Sequence, residues 1–576
     1  MSTIIQAGII ASPGICMGQA LVLKNNNAVV PKYYIKDSQT KQELVRLFEA
    51  ITKTKEDIED IHKHISSVLS DDVSDIFATH MMILEDPMLN KLATEEISQK
   101  KRNAEWAINE IATIFMESMH ASENEYLSER AMDISDISKR VIGNLQHHID
   151  DPLSDINNEV ILFAPDLSPS ETAVMNKKYV QAFVTSQGGK TSHTAIMARA
   201  LNIPSLVGVK NAHFVLKSGD TVIVDAIDGK LIINPSEIEI EDFKKKQTTF
   251  INRLKELNEL APLASQTRDK TDIYIFGNID VPEKMDIFQQ SSVQGIGLFR
   301  SELLFLGKTI PNEEEQFIAY KKIVEHFNPM PVTIRTLDVG GDKLLTNSSI
   351  RSELNPFLGC RAIRFCLNNK YLFKMQLRAI LRASAYGTVK LMFPMISTPD
   401  ELQLAREITE EAKDELRIKN IPFDDKIQIG IMIEVPSAAI NADILAKNSD
   451  FFSVGTNDLV QYLLAVDRRN ESVAHLYNPL NPAVLRTLKS IVKTSTKHNV
   501  SLSICGEMAG EAQYIMVLLG LGFRHFSMSP ANMPEIKKLI RSVTIAECEK
   551  IAEEVMELTS VVDIENHVIN SFLKTL

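Results

Sequence analysis

Eight short apolar segments alternate with helical patterns in the second half of the chain, and this alternation restricts the possible folds more than any other feature. The segments are Ile273–Asn278, Gly295–Glu302, Val332–Asp338, Val389–Met395, Ile427–Glu434, Phe451–Asn457, Ser501–Glu507 and His525–Ser529. Strand and helix in eightfold alternation are typical of a (β/α)8 barrel, whose active site lies at the carboxyl ends of the strands. We therefore expect a TIM barrel over residues 263–576.

Charged and polar residues collect where these predicted strands end. They are Arg300 and Glu302 on the second strand, Arg335, Asp338 and Lys343 on or after the third, Glu434 on the fifth, Asn457, Asp458 and Arg468 on or after the sixth, and Cys505 on the seventh. Because adjacent strands lie about 4.8 Å apart, we expect Glu434 and Asp458 to face one site. Two carboxylates with open coordination positions suit Mg²⁺, which prefers oxygen ligands.

The cations among these residues indicate what the site binds. The expected set around the metal is Arg300, Arg335, Lys343 and Arg468. A single arginine is also compatible with a surface ion pair worth about 0–1 kcal/mol. Several cations converging on two acids instead favour a small, multiply anionic, phosphorylated substrate. For Cys505 the pattern leaves two roles open, a small buried apolar residue or a proton donor.

The first half of the chain indicates a discontinuous domain. Strand-like segments over residues 1–23 and 149–236 flank a stretch with helical spacing over residues 24–148. We expect an α/β domain that begins with a strand pair around a turn and is interrupted by a helical insert. A charged helix over residues 237–262 follows, and it is compatible with a linker or with an ordinary surface helix.

The run Gly188–Thr194 is the most informative motif of this first half. It follows a strand-like segment and precedes a helical one, so His193 is expected at the start of a helix. Helix N-termini offer free backbone N–H groups and a positive dipole end, which suit a histidine that carries a phosphoryl group. The local pattern alone is equally compatible with a capping loop that happens to contain a histidine.

Composition excludes several classes of protein. The formal net charge of -13 argues against a nucleic-acid binder or a protein of anionic membrane surfaces. We expect no membrane span, since no apolar run approaches about 18 residues, and no signal peptide. The five cysteines form no CxxC pair, so we expect neither a disulfide framework nor a zinc site, and we expect a cytoplasmic protein.

Several long motifs, in order along the whole chain, resemble Enzyme I of the bacterial phosphotransferase system. They are residues 9–15 (IIASPGI), 84–86 (LED), 168–173 (SPSETA), 188–199 (GGKTSHTAIMAR), 355–359 with 361–364 (NPFLG and RAIR), 455–462 (GTNDLVQY) and 505–510 (CGEMAG). The resemblance implies a phosphohistidine swivelling domain with a helical insert, a linker helix and a TIM barrel. The chain departs from the family at Cys360, where a tryptophan is expected. The smaller side chain puts the local packing and the strength of the dimer in doubt, but not the chemistry.

The resemblance also implies roles for individual residues. His193, with Thr172 as a neighbour, would carry the phosphoryl group; Arg300, Arg335 and Arg468 would bind the phosphate of phosphoenolpyruvate; Lys343, Arg361 and Asn457 would line the site; Glu434 and Asp458 would hold Mg²⁺; and Cys505 would protonate the enolate. The insert would dock the phosphocarrier protein HPr, the barrel would form a homodimer, and the phosphohistidine domain would swivel about the linker. The established use of such an enzyme is sugar transport.

Two other functions stay open from the sequence. One is an enzyme related to pyruvate-phosphate dikinase or phosphoenolpyruvate synthase, although no glycine-rich nucleotide loop precedes the phosphohistidine motif. The other is a regulatory phosphoacceptor or interaction protein that is not coupled to sugar uptake.

Overall fold

The computed structural model describes residues 3–6, 8–23, 30–66, 80–81, 83–120, 125–146, 156–168, 171–172, 175, 178–189, 192–201, 203–210, 216–279, 285, 288, 293–305, 310–340, 355–468 and 470–575. The chain divides into two compact units, Met1–Arg253 and Leu254–Leu576.

The first unit contains an eight-stranded mixed sheet. Its strands are β1 (Thr3–Gln6), β2 (Ile9–Ser12), β3 (Ile15–Val22), β4 (Val160–Ala164), β5 (Val180–Thr185), β6 (Ser205–Val207), β7 (Thr221–Asp225) and β8 (Lys230–Ile233), in the spatial order β1-β8-β7-β3-β4-β5-β6-β2. β3, β4, β5 and β6 run parallel, as expected for strands joined by longer connections. The helical insert enters the chain between β3 and β4.

The expectation of a strand pair at the start of the chain was wrong. Residues 3–22 form three strands, and none of them pairs with another of the three. β1 pairs with β8, β2 pairs with β6, and β3 lies in the middle of the sheet between β7 and β4. Local alternation of apolar residues identifies a strand but not its partner, because the partner is set by packing over the whole sheet.

The insert is helical, as the spacing of its apolar residues predicts. Its named helices are α1 (Thr40–Ser66), α2 (Pro87–Ser98), α3 (Ala104–His120) and α4 (Glu125–Gln146). Leu47 and Ile108 from these helices and Leu162 from β4 belong to one buried apolar cluster, so the insert and one face of the sheet share a core. The unit also contains α5 (His193–Leu201), while α6 (Glu237–Leu260) contains the boundary between the two units.

The second unit is a closed barrel of eight parallel strands, which confirms the predicted fold. The strands are β9 (Tyr274–Ile279), β10 (Ile296–Arg300), β11 (Val332–Arg335), β12 (Val389–Phe393), β13 (Gln428–Ile433), β14 (Phe451–Gly455), β15 (Ser501–Cys505) and β16 (His525–Met528). Most of them end two or three residues before the predicted end. The polar residues that follow each apolar segment form loops and helix starts, because they have no apolar face to pack.

Helices connect and cover these strands. They are α7 (Glu313–Phe327), α8 (Ala362–Asn368), α9 (Lys370–Ala383), α10 (Pro399–Ile418), α11 (Pro436–Ile440), α12 (Ala442–Leu445), α13 (Thr456–Leu464), α14 (Glu471–Ala474), α15 (Pro482–His498), α16 (Glu507–Gly510), α17 (Ala512–Leu521), α18 (Met533–Ser542), α19 (Ile545–Glu557) and α20 (Val561–Leu573). Alternate strand residues such as Ile334, Leu391 and Ile431 pack outward against them. The residues between these point into the barrel.

No helix in the described ranges combines the length and the apolar character needed to cross a lipid bilayer.

Candidate active site

The motif around His193 lies at the junction between β5 and α5. Ser192 precedes the helix, and its Oγ accepts a hydrogen bond from the N–H of Ala195 (3.4 Å) while lying 2.9 Å from the carbonyl of Gly189. Gly188 has a φ of +101°, a conformation that glycine adopts without strain. His193 is therefore the first residue of a capped helix, next to the end that attracts anions.

Hydrogen bonds fix this end of α5 in place. Thr194 is buried, and its Oγ1 donates to Asp166 Oδ1 at 3.0 Å. Thr172, the expected neighbour of His193, is also buried, and its Oγ1 donates to the carbonyl of Ser168 at 2.8 Å. The backbone of His193 is described but its side chain lies outside the description, so the contact between His193 and Thr172 stays a prediction.

In the second unit, Arg335 ends β11 with its side chain buried between two carboxylates. Its Nη1 lies 2.9 Å from Asp338 Oδ2, and its Nη2 contacts Glu302. Nη1 also lies 3.7 Å from Met432 Sδ. Arg300 and Arg335 are direct neighbours in the register of β10 and β11, so both arginines lie at the carboxyl end of the barrel.

Arg361, the residue just before α8, belongs to the same cluster. Its Nη2 lies 2.8 Å from Asp338 Oδ1 and 3.5 Å from Asp458 Oδ2. Its Nη1 donates to the Tyr462 hydroxyl at 3.4 Å, and that hydroxyl donates to the carbonyl of Phe357 at 2.5 Å. Asp338 therefore holds two guanidinium groups, one from a strand end and one from the chain after it.

Burial and ion pairing set the charges of this cluster. Burial opposes the ionisation of Asp338, but Arg335 and Arg361 outweigh it and lower the pKa of this carboxyl. Burial raises the pKa of Glu302 by more than Arg335 lowers it. Burial also opposes the charge of both arginines, yet the nearby acids raise their pKa values above the ordinary one. The site thus presents charged guanidinium groups in a fixed orientation, as transition-state stabilisation requires.

The two expected metal ligands, Glu434 and Asp458, lie in this cluster. Glu434 is buried, and its Oε1 accepts a hydrogen bond from the N–H of Met395 at 2.6 Å. Burial, and then the charges of Asp458 and Asp338, raise the pKa of Glu434 well above its ordinary value. A Cβ on Gly455 would lie 2.8 Å from Glu434 Oε2, so only glycine leaves this carboxylate its space.

These residues fit a divalent cation. Burial, Asp458 and Asp338 disfavour the ionised form of Glu434 by more than Arg335 and Arg361 favour it, so a cation beside Glu434 and Asp458 would add stabilising positive charge. Oxygen ligands suit Mg²⁺. Among the described residues there is no group of three or more His, Cys, Asp or Glu side chains suited to a metal. Water and substrate oxygens would therefore complete the coordination.

Cys505 ends β15 inside the barrel. Its Sγ accepts a hydrogen bond from Ser453 Oγ at 3.3 Å and lies 3.4 Å from the carbonyl of Val454. Burial raises the pKa of the thiol. The thiol therefore keeps its proton near neutral pH, which both a buried apolar residue and a proton donor require.

Asn457 and Arg468 meet through a residue to which the sequence assigned no role. Glu507 Oε1 lies 3.1 Å from Asn457 Nδ2 and 3.2 Å from Arg468 Nη1. The N–H of Glu507 donates to Asn457 Oδ1 at 2.8 Å, and the N–H of Arg468 donates to Gln461 Oε1 at 3.2 Å. Glu507 therefore ties the end of β15 to the segment that follows β14.

The structure brings most of the predicted site residues to one end of the barrel: Arg300, Arg335, Arg361, Glu434, Asn457, Asp458, Arg468 and Cys505. Lys343 lies outside the described residues. No role followed from the sequence for the groups that orient these side chains, namely Glu302, Asp338, Tyr462 and Glu507. Glu302, Asp338 and Glu507 lie at the predicted strand ends, so their position was a signal although their pairing was not. Tyr462 lies within α13, where its position gave no such signal. The roles of all site residues stay predictions.

Three family models match the chain. Residues 7–130 match the N-terminal model of PEP-utilising enzymes, residues 156–229 match their mobile-domain model, and residues 254–545 match their PEP-binding domain model. The last match covers the barrel with its cluster of arginines and carboxylates.

Curated relatives agree with these matches over the whole length of the chain. Proteins named phosphoenolpyruvate-protein phosphotransferase are 41% identical in Geobacillus stearothermophilus (98% of each chain covered), and 41% identical in Bacillus subtilis (98% of this chain and 99% of the relative). The protein of that name in Haemophilus influenzae is also 41% identical, with the same coverage as the latter. The barrel with its buried cationic site and the histidine that begins a helix agree with these matches. Identity at this level over the full length therefore places the chain in the phosphoenolpyruvate-protein phosphotransferase family of enzymes.

Proposed function

We propose that the chain transfers the phosphoryl group of phosphoenolpyruvate to His193 and then to the histidine of the phosphocarrier protein HPr, releasing pyruvate. One observation carries the proposal: Arg335 and Arg361 share Asp338, and Arg361 also reaches Asp458, at the carboxyl end of the barrel. Paired guanidinium groups beside carboxylates suit a substrate that carries a phosphate and is bound through a metal.

In this proposal the arginines bind and orient the phosphoryl group. Arg300, Arg335 and Arg468 contact the phosphate oxygens, with Lys343, Arg361 and Asn457 around them. Phosphoryl transfer depends chiefly on positioning and on stabilising the charge of the transferred group. Arginines that Asp338 already holds need little rearrangement when the substrate binds, which lowers the cost of reaching the transition state.

Glu434 and Asp458 would hold Mg²⁺. When bound, the ion would neutralise substrate oxygens and fix their orientation. The buried setting of Glu434 favours this role, because burial and the charges of Asp458 and Asp338 disfavour its ionised carboxylate by more than Arg335 and Arg361 favour it.

His193 would accept the phosphoryl group and Cys505 would donate a proton. A neutral nitrogen of His193 attacks phosphorus, so a P–N bond forms while the bond between phosphorus and the enol oxygen breaks. The enolate that leaves takes a proton from Cys505 Sγ at its terminal carbon and becomes pyruvate. Solvent then returns a proton to the thiolate. The hydrogen bond from Ser453 Oγ to Sγ would stabilise that thiolate briefly.

The proposed function implies a partner protein, a dimer and a cellular location. The helical insert would dock HPr, two copies would associate through their barrels, and the protein would act in the cytoplasm as the entry point of sugar uptake. The full-length identity with proteins named phosphoenolpyruvate-protein phosphotransferase supports these assignments.

Labelled phosphoenolpyruvate tests the proposal. With Mg²⁺ and phosphate-labelled substrate, the protein should acquire an acid-labile, alkali-stable label and release pyruvate, and His193→Ala should acquire none. His326→Ala is the matched control, since His326 is exposed on α7 of the barrel, and it should label normally. A folded wild-type protein that takes no label would overturn the proposal.

Removal of the metal tests Glu434 separately. Chelation should abolish labelling by phosphoenolpyruvate, and Glu434→Gln should label poorly at any Mg²⁺ concentration. Because burial and neighbouring charges raise the pKa of Glu434, the glutamine should also leave the metal-free protein at least as stable as wild type at neutral pH. Glu411→Gln, on the exposed face of α10, is the control. Normal Mg²⁺ dependence in Glu434→Gln would contradict the assignment.

A further inference from the structure

The strands of the barrel carry basic residues and no acidic ones. None of the eight strands, all of which are described, contains an aspartate or glutamate. Their four basic residues are Arg300, Arg335, Lys390 and His525. Arg300 and Arg335 end their strands in the candidate active site, whereas Lys390 is the second residue of β12 and His525 is the first residue of β16. Two basic groups therefore lie at the amino-terminal end of the barrel, opposite the candidate active site.

Both of these side chains point into the barrel. Met392 belongs to the apolar cluster inside the barrel with Met432 and Phe451, and Lys390, two residues earlier, shares its face of β12. Lys390 Nζ lies 5.4 Å from the centroid of the Phe451 ring. β12 and β16 are separated by three strands in either direction, so Lys390 and His525 lie on opposite walls of the barrel. The charge of Lys390 acts on His525 across the interior.

Aromatic rings hold the imidazole of His525. It stacks on Tyr274 with a centroid distance of 4.7 Å and an interplanar angle of 10°, and it lies 6.1 Å from the ring of Phe276. Tyr274 is 40% exposed, so this end of the barrel is open to solvent. The ring edge with its nitrogens is thus held in a fixed orientation at an accessible opening.

Among the described residues, the basic groups at this end have no acidic partner. Lys390 makes no ion pair with a carboxylate in the described part of the chain, and burial alone lowers the pKa of its amine. Burial, and then the charge of Lys390, lower the pKa of His525. A nearby carboxylate would raise both values, since it favours the charged form of each base. Partly buried basic groups beside aromatic rings attract an anion more strongly than fully exposed lysines do.

We propose that Lys390 and His525 form a binding site for a small oxyanion at the amino-terminal mouth of the barrel, separate from the candidate active site. The ligand class is a phosphate or small carboxylate that accepts hydrogen bonds from the Lys390 ammonium and the His525 imidazolium at once. The site stands independently of the proposed phosphotransferase reaction, because it uses none of the residues assigned there.

Binding at this site should take up a proton. The groups that face His525 are the Tyr274 hydroxyphenyl ring on β9, the Lys390 amine on β12 and the backbone at Leu502 on β15. None of them is a carboxylate. A bound oxyanion would supply a negative charge and favour the imidazolium form, so affinity should rise as the pH falls from mildly alkaline to mildly acidic values.

Nuclear magnetic resonance of the histidine side chains in the full-length protein tests the site, with inorganic phosphate as the probe. The signals of His525 are assigned by their loss in His525→Gln. Phosphate should shift them with saturation, and more strongly at lower pH. Lys390→Met should weaken this response at least about tenfold, the effect expected for losing one hydrogen bond to a charged group. Lys426→Met is the matched control, since Lys426 is exposed just before β13, and it should respond like wild type.

The outcomes separate the alternatives. A His525 signal that does not respond to phosphate in the wild-type protein overturns the proposal. An equal loss in Lys390→Met and Lys426→Met also overturns it, because the response would then reflect diffuse surface charge. A response that persists in Lys390→Met would come from phosphate bound among the active-site arginines, and it overturns the site as well. Lys390→Gln gives the same comparison should the methionine variant prove unstable, with thermal melting as the check of folding.

Discussion

At the scale of single residues, Asp338 holds two arginines together in the candidate active site. Two buried guanidinium groups repel each other and lose hydration, and each cost is offset only by a well-placed counter-charge. Asp338 gives one oxygen to Arg335 at 2.9 Å and the other to Arg361 at 2.8 Å. The Asp338 carboxylate therefore allows two buried arginines to lie side by side in one site.

Asp338→Asn should impair both stability and turnover. An amide cannot accept a charge-assisted hydrogen bond from each arginine, so we expect a loss of about 3 kcal/mol in the free energy of unfolding and a fall in kcat/KM for phosphoenolpyruvate of about 100-fold or more. Urea unfolding and pyruvate formation measure the two effects. Asp414→Asn, which removes the charge of one of several exposed acidic partners of Arg417, should change neither quantity noticeably. Unchanged kcat/KM in Asp338→Asn would show that the bridge does not position the arginines.

Cys505→Ala should separate proton transfer from phosphoryl transfer. Because the thiol would supply the proton that turns enolate into pyruvate, we expect pyruvate formation to slow by about 10²–10⁴-fold. Phosphorylation of His193 from phosphorylated HPr should proceed normally. Cys366→Ala is the control, because Cys366 is also a buried thiol of the barrel unit but contacts the carbonyl of Leu337 instead. Equal loss in both variants would mean that the effect is one of packing.

At the scale of elements, the junction between β15 and α16 positions two site residues at once. Gly506 separates Cys505 from Glu507 and has a φ of +96°. A Cβ there would lie 2.4 Å from Thr456 Oγ1 and 2.9 Å from Asn457 Oδ1. The backbone of this turn is therefore packed directly against the start of α13, whose first turn contains Asn457 and Asp458.

Gly506→Ala should disturb the site more than its backbone strain accounts for. Gly219→Ala is the matched control, since Gly219 has a φ of +94° and a Cβ there would meet nothing within 4 Å. The control should lose about 1–2 kcal/mol of stability from strain alone and keep full activity. Gly506→Ala should lose more stability and most of its turnover of phosphoenolpyruvate, measured by thermal melting and pyruvate release. Similar activity in the two variants would mean that this turn can shift without moving the site.

The elements also show what the sequence could and could not predict. The eight barrel strands were predictable because each buries alternate residues such as Ile431 against a helix, which leaves a strong apolar pattern. The pairing of β1, β2 and β3 was not, because alternation does not specify a distant partner. The site residues followed from their place at strand ends, but the bridging role of Asp338 did not, since it depends on Arg361 reaching back from a later segment.

At the scale of the whole molecule, the two units contain different parts of the proposed mechanism. The unit Met1–Arg253 contains the helical insert and the helix that begins at His193, while the unit Leu254–Leu576 contains the barrel with its arginines and carboxylates. Each unit has its own buried cores. In the proposed mechanism, transfer between protein histidines needs only the first unit, whereas transfer from phosphoenolpyruvate needs residues of both.

This division predicts what an N-terminal fragment that ends within α6 can do. Produced alone, it should accept a phosphoryl group from phosphorylated HPr at His193, because the helix and the insert belong to its own core. It should take no label from phosphoenolpyruvate, since the residues assigned to that substrate are absent. Label transfer followed by gel separation measures both reactions.

The same fragment with His193→Ala is the control, and it should accept nothing from either donor. A fragment that melts cooperatively yet exchanges no phosphate with HPr would contradict the placement of the phosphohistidine in this unit. Labelling of the fragment by phosphoenolpyruvate would contradict the placement of the substrate site in the barrel. The two reactions therefore test the two halves of the assignment independently, because each depends on residues that the other reaction does not use.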